Sequence, residues 1–490
     1  MKSKTFQPSR KSKAKDSQPD SAESLYIQAT EEEEFGDRWL GSDLAKALRF
    51  YQRAYFLYLE SLRLQTDYLD SGYNVSRLLF FVYDRYVKNE AVVLDELVNC
   101  SEALTGTASS VVRPLQQIIQ VFQEWIQISQ RAKDFPWDLY YNAVLCYLEY
   151  MEELVHNGDS FDELVSCGQE CLELLGKVLE HQMRELAALT SPEETQVDAK
   201  EHEYETQQEA IVPPTVLETC VTGYKIFATL YEGAISEDEK GLVESKFADA
   251  ALKLDEFAST LVNQYSAPVD DSIPPLSAED HEQLQVARLC YEAAKADTFD
   301  KLRDLWQGSK SVEKLLLENE SYRTFLAKND TIPAATRWHV LSSISNRYKE
   351  AFELLKQEYD QLKRTAANLQ LGSKIVQMCS ILIERADVEL ERSQTAMVEE
   401  KTRNILATNA NKLLRNAITY SQQSGGLRES VLDKLARRKK LKEASTRLCV
   451  LEGKTSREEL DKIVGRTFWP QELHELKELG IYKADLGWSL

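Results

Sequence analysis

The 490-residue sequence predicts an all-α protein, a solenoid of antiparallel helix pairs with irregular repeats and a capping helix at its C-terminal end. Three observations predict it. Leu, Ala, Glu, Lys and Gln are frequent while Gly and Pro number 18 and 12, a balance that favours helix over sheet. Apolar residues recur at spacings of three and four in segment after segment, the period of a half-buried helix. The stretch from Ala47 to Tyr83 carries a small-aromatic-small pattern, Ala47, Tyr51 and Ala54, followed by Tyr73-Asn74-Val75. Small side chains at 47 and 54 let two helices approach closely, and Tyr51 fills the gap between them.

Residues 1–20 are polar and carry Lys2, Lys4, Arg10, Lys11, Lys13 and Lys15, which predicts a disordered basic tail. The block 21–190 holds the N-terminal repeats. Its first helix starts near Ala22, with Leu25, Tyr26, Ala29 and Phe35 on one side and the acidic run Glu31 to Glu34 as the solvated face. Gly36 and Gly41 bracket Trp39 in an expected turn, after which Ser42 or Asp43 caps a helix bearing Ala47, Tyr51, Ala54, Tyr55, Tyr58 and Leu62. The next helix runs from Tyr73 through Leu78, Leu79 and Val82. Tyr141-Asn142-Ala143 repeats its opening 68 residues later, twice a 34-residue period.

Residues 191–215 read as an acidic linker ending in Pro213-Pro214, and 266–280 as a Pro/Asp-rich loop, because neither has the apolar surface to offset ordering entropy. Between them, 216–265 forms a helical pair, Val216 to Tyr231 and Glu237 to Tyr265. The block 281–450 holds the C-terminal repeats, with helices expected at Leu284–Ala296, Lys301–Trp306, Trp338–Leu362, Leu371–Leu390 and Met397–Tyr420. A basic amphipathic helix follows around Lys434 to Lys442, its Arg437, Arg438, Lys439 and Lys440 forming a cationic outer face. The capping segment 451–490 carries a helix opened by Pro470 and closed by Gly480, buried through Leu473, Leu476 and Leu479 and anchored by Phe468 and Trp469.

These patterns resemble the tetratricopeptide-repeat (TPR) family. Ala47, Tyr51 and Ala54 match the second helix of its repeat, Trp338, Leu341 and Ser342 match the start with Ser in place of Gly, and Ala410, Leu414 and Ala417 match the second half again. The resemblance covers about half of the chain and departs from the pattern in its missing Pro and variable loops. It implies a concave surface formed by the first helix of each pair. Some members hold a peptide carboxylate there with Asn, Lys and Arg, which makes Asn74, Arg77 and Asn142 the candidate partner-binding residues.

An excess of Asp and Glu over Lys and Arg, 80 against 59, gives a formal charge of −21. Such a field repels polyphosphates, which argues against a general nucleic-acid binder, and attracts a basic protein. No apolar run approaches the roughly 20 residues of a membrane span, and the eight cysteines fall in apolar contexts without C-x2-C pairs, as buried thiols of a reducing compartment do. Cytoplasmic or nuclear residence follows as an expectation, with the basic tail or the Arg437–Lys440 run as candidate import signals.

The sequence contains no phosphate-binding glycine loop, no H-E-x-x-H and no G-x-S-x-G, and its six histidines stand in separate segments. Cys167 and Cys171 share a helix face, a spacing that core packing explains without a metal. No catalytic residue, cofactor or metal is therefore expected. The expected function is a non-enzymatic interaction module that binds or chaperones a basic client such as a ribosomal protein; a scaffold subunit bound through apolar surfaces is the alternative, and an enzyme with a dispersed site the remote one.

Overall fold

A computed structural model describes residues 21–190, 211–268, 273–308, 310–329, 331–364 and 370–482. The basic tail and most of the acidic linker lie outside the described residues. Among the described residues there are 17 α-helices and no strand. α1 (Ala22–Leu40) and α2 (Leu44–Leu64) make the first pair, with Ser21 and Asp43 as N-caps. Asp43 Oδ1 accepts the Lys46 N–H at 2.9 Å, closing one of the donors a helix start leaves open.

α3 (Leu69–Val82) runs on into a π-helical turn at Tyr83–Val87. A long connection with two short 3-10 turns leads to α4 (Leu115–Ala132), and α5 (Trp137–Asn157) and α6 (Phe161–Thr190) complete the N-terminal block. α7 (Pro213–Gly233) and α8 (Glu237–Tyr265) form the expected middle pair. Pro213 is the first residue of α7 rather than linker, a position where its missing N–H costs nothing.

The C-terminal part comprises α9 (Ala278–Ala294), α10 (Phe299–Leu305), α11 (Val312–Lys328), α12 (Ala334–Leu362), α13 (Leu371–Gln394), α14 (Glu400–Ser421), α15 (Val431–Leu451), α16 (Arg457–Ile463) and α17 (Trp469–Glu478). The Pro/Asp-rich loop ends earlier than expected, because Ser277 and Asp280 form a reciprocal capping box on α9. Trp469 is buried and anchors α17, and Gly480 takes a left-handed φ of 67° beyond its end, but Leu479 is exposed and adds nothing to the buried side.

Two expectations near the start are corrected. Gly36 is not in a turn: α1 continues through it to Leu40, and Gly36 is where the ring of Tyr51 lies against the α1 backbone. The 68-residue offset spans one helix pair with a long connection, not two 34-residue repeats, since α3 and α5 are successive alternate helices separated only by α4. The packing logic of the pattern holds. Ala47, Tyr51, Ala54, Ala410, Leu414 and Ala417 are all fully buried.

Most helices pack on the next, α8 against α9 and α16 against α17 excepted, and the alternate helices α3, α5, α7, α9 and α11 also touch one another in sequence, as do α13 and α15. Asn74 and Arg77 reach Tyr26 and Glu33 of α1, and an Arg323–Glu391 ion pair at 2.6 Å joins α11 to α13. The result is a stack of helices in which alternate members also touch. One apolar core runs from Ala29 to Tyr291, a second from Ala293 to Val388 and a third from Leu382 to Tyr482.

The array also returns on itself. Val431, Leu432 and Leu435 of α15 pack against the N-terminal core, and the Val431 N–H donates to the Gly41 carbonyl at 3.0 Å. Lys439 forms an ion pair with Glu90 in the connection after α3.

Candidate functional site

The three residues singled out by sequence come together at the α1–α3–α5 junction. Asn74 is buried; its amide donates to the Tyr26 hydroxyl at 3.3 Å and its carbonyl accepts from Arg77 Nε at 3.3 Å. Arg77 is ion-paired with Glu33, whose other oxygen accepts the Tyr58 hydroxyl at 3.1 Å. Asn142 donates to the Asp138 carbonyl at 2.8 Å, and Tyr73 lies between Arg77 and the Asp138–Asn142 pair.

Glu33 therefore belongs to a buried polar seam between helices and not to a solvated acidic face. The guanidinium of Arg77 is committed within the fold, so the cluster rigidifies the first repeats and offers no open carboxylate clamp. Tyr51, Tyr55, Tyr58 and Trp137 are core residues as the spacing predicts, and the half-buried Tyr141 meets the Thr222 hydroxyl at 3.1 Å.

A second set of residues emerges only in three dimensions. Glu152 of α5, Lys225 of α7, Glu320 of α11 and Glu384 of α13 are open to solvent, and Glu232 of α7 is half-buried. Burial of their surroundings nevertheless raises the carboxyls of Glu152, Glu320 and Glu384 above the ordinary range. Glu232 is pushed up to about 7, by burial first and then by the charge of Glu320, against the pull of Lys328. Of these, Glu232 lines a cleft with Lys240, Asp297 and Lys328.

The electrostatic neighbours can be followed from helix to helix. Glu152 feels Glu149 first, then Lys88, Lys225 and Glu320; Glu232 feels Glu320, Lys328 and Glu152; both Glu232 and Glu320 act on Cys290 of α9. Glu320 and Glu384 act on Tyr348 of α12, Lys440 of α15 acts on Glu384, and Lys439 and Lys440 act on Glu90, which also feels His156 of α5. The path ends on the helix where it began. Apart from Tyr348 of α12 and Glu90 in the connection after α3, the residues in it lie on α5, α7, α9, α11, α13 and α15.

Within this circuit, Lys88 is paired with Glu149, Lys439 with Glu90, and Lys440 with Glu443 at 2.8 Å. Glu152, Glu232 and Glu320 are different: among the described residues none has an ion-pair partner in contact, Glu320 is raised by burial and in turn raises Glu152 and Glu232, and Lys88, Lys225 and Lys328 pull the latter two down. Next to them a cleft of about 170 Å³ opens between the ends of α7, α9 and α11. Its Lys328 donates to the Tyr231 carbonyl at the end of α7, and burial lowers that ammonium to about 8.

Residues 310–473, from the start of α11 into α17, match the family model of the YNL193W C-terminal domain. The uncharacterized protein YNL193W of Saccharomyces cerevisiae is 31% identical over 183 residues, which is 36% of this chain and 32% of that protein. The chain thus matches about a third of its relative's length. Among solved structures, a circular tandem repeat protein with novel repeat topology and enhanced subunit contact surfaces aligns over 94% of this chain and 85% of its own, at 12% identity and a TM-score of 0.23.

Among the described residues, no group of three or more His, Cys, Asp or Glu side chains is arranged to hold a metal, and no helix is long and apolar enough to cross a membrane. Cys171 is buried with its thiol directed at the Val144 carbonyl, and burial pushes the half-buried Cys167 up to about 11, so this pair packs as apolar side chains. Sequence reasoning missed Glu152, Glu232 and Glu320 because they sit on three separate helices. The signal that could have found them is an acidic residue adjoining the apolar stripe on alternate helices of a repeat.

Proposed function

We propose that the protein is a non-enzymatic interaction module, a TPR-like helical repeat whose inner acidic surface holds or chaperones a basic protein client in the cytoplasm or nucleus. The observation that carries this reading is the unpaired set Glu152, Glu232 and Glu320. Glu320 raises the carboxyls of Glu152 and Glu232, a cost that a Lys or Arg side chain of a partner would relieve. The net charge of −21 adds a long-range attraction that steers a cationic client toward the molecule. A ribosomal protein or another basic nuclear client has the required chemistry.

The test is affinity capture of the full chain with a basic ribosomal protein at low and high salt, repeated with Glu152→Gln and Glu320→Gln. A complex that weakens steeply with salt and is lost in the double variant supports the reading. A complex indifferent to salt and to both substitutions refutes it and favours a scaffold subunit held by apolar contacts.

A further inference from the structure

Charge is spread unevenly along the chain. Residues 401–450, which span most of α14 and α15 with the connection between them, carry twelve Lys and Arg against three Asp and Glu, in a molecule whose total is −21. Five of the twelve serve the fold. Arg437 pairs with Glu429 at 2.8 Å, Lys439 with Glu90, Lys440 with Glu443 and Arg447 with Asp387 and Glu472, while Lys442 lies 5.3 Å from the Phe468 ring centre. Of the Arg437–Lys440 run, read from sequence as a cationic outer face, Arg438 alone is exposed.

The other seven do not. Arg415 is exposed and meets Glu452, which also holds Lys454. Lys401, Arg403 and Lys412 on α14, Arg428 in the connection, and Lys434 and Arg438 on α15 are exposed, and among the described residues none of them has an ion pair. No carboxylate of the segment opposes them: Glu429 and Glu443 are buried in the pairs already named, and Asp433 is half-buried against Gly372 at the start of α13. Glu399 and Glu400, at the first turn of α14, are the exposed acids that precede the segment. Between the cations stand neutral polar residues. Lys401, Asn404, Thr408, Arg415 and Thr419 recur along α14 at spacings of three, four and seven, and Lys434, Arg438 and Ser445 do so on α15. Ile405 and Leu427 are the exposed large apolar residues of the segment, too few to seat an amphipathic partner helix.

We propose that the exposed face of α14 and α15 binds the backbone of double-stranded RNA. Phosphate oxygens are held by Lys and Arg together with neutral side-chain donors such as Asn404. The Thr408 and Thr419 hydroxyls donate to the Asn404 and Arg415 carbonyls at 2.7 and 2.9 Å, which leaves their outward lone pairs to accept. The ribose 2′-hydroxyl is the backbone group that can donate to them, and DNA lacks it. Tyr420, the one aromatic residue of the segment, is half-buried against Phe352, so the face has no platform on which unpaired bases would stack. Two helices side by side are too broad for the major groove of DNA, whereas the minor groove of A-form RNA is wide and shallow. The acidic body does not cancel the attraction, because at physiological salt charges more than ~8 Å away are largely screened. The inference uses none of the carboxyls that carry the proposed client binding and stands apart from that reading.

The experiment measures binding of the full chain to four labelled probes by fluorescence anisotropy: a short RNA duplex, the DNA duplex of the same sequence, a single-stranded RNA and a polyglutamate peptide. The expected result is saturable binding of the RNA duplex, tighter than that of the other three and falling steeply with salt as counterion release requires. Lys434→Glu with Arg438→Glu should weaken it about tenfold or more while circular dichroism stays unchanged. Arg403→Glu with Lys412→Glu tests the same face from the other helix. Lys246→Glu with Lys253→Glu, the same charge change at exposed positions of α8, should leave it as it is. Thr408→Val should narrow the preference for RNA over DNA. Equal or tighter binding of the DNA duplex, the single strand or polyglutamate, an equal loss in the α8 variant, or no binding of the RNA duplex at low salt overturns the proposal.

Discussion

The ring of Tyr51 occupies the space that a side chain on Gly36 would need: a β-carbon at residue 36 would lie 2.4 Å from the Tyr51 ring edge. Tyr51 is fixed there, fully buried and hydrogen-bonded through its hydroxyl to Asp37 at 2.8 Å. Replacing Gly36 by Ala raises helix propensity by ~1 kcal/mol, but the ring has nowhere to move and overpacking costs ~1–3 kcal/mol. Gly36→Ala should therefore lower stability in urea unfolding, and a more stable variant would contradict this packing.

Arg447 holds the C-terminal cap. It contacts Asp387 of α13 at 3.3 Å and Glu472 of α17, and the Tyr482 hydroxyl donates to Asp387 at 2.5 Å. Arg447→Met strands two buried carboxyls, and loss of one partner from such a cluster costs ~3–5 kcal/mol. Adding Asp387→Asn and Glu472→Gln should recover much of that loss. Thermal unfolding of the single and triple variants checks it.

The inner surface should bind cations in a pH-dependent way. Glu232, raised to about 7, is charged above that pH and takes up a proton below it. Affinity for a basic peptide should fall as pH drops from about 8 to about 6, and binding at pH 7 should release protons, because an incoming cation favours the ionised carboxylate. The groups facing it are Glu320, Glu152 and Lys328. Glu232→Gln should flatten the pH profile in calorimetry; an unchanged profile would remove Glu232 from the binding surface.

The contact between α15 and the first helices should depend on apolar burial more than on its ion pair. Glu90 is largely exposed, and such pairs contribute ~0–1 kcal/mol. Lys439→Ala should leave the small-angle scattering profile unchanged, whereas Leu435→Asp, which places a charge against the N-terminal core, should enlarge the radius of gyration.

Much of the architecture is legible in the sequence because a continuous apolar stripe needs no distant information. The bounds of α8, Glu237–Tyr265, are those the periodicity predicts, and Ala410, Leu414 and Ala417 are buried as their spacing requires. α11 is harder to read, because Lys314, Glu318 and Asn319 share its buried side with Val312, Leu315, Tyr322, Phe325 and Leu326 and break the apolar stripe. α4 has a clear stripe in Ile118, Phe122 and Ile126 but lacks the small-aromatic-small pattern. Gly36 misleads because the same residue type serves a turn and a close helix approach, and only the partner ring decides between them. Asn74 and Arg77 are polar at positions where a repeat could present a ligand contact; that Glu33 neutralises Arg77 depends on the packing of α1.

The contact of α15 with the turn at Gly41 also bears on how the molecule comes apart. A linear stack of repeats frays from its termini, each unit loosening almost independently of those far away, and its transition broadens as units are added. Here the last long helix is tied to the first turn, so the earliest units to fray in an open stack are held by the latest. Loss of structure at either extremity must first break the joint between them, which makes the whole array melt more nearly as one body than its length alone would suggest.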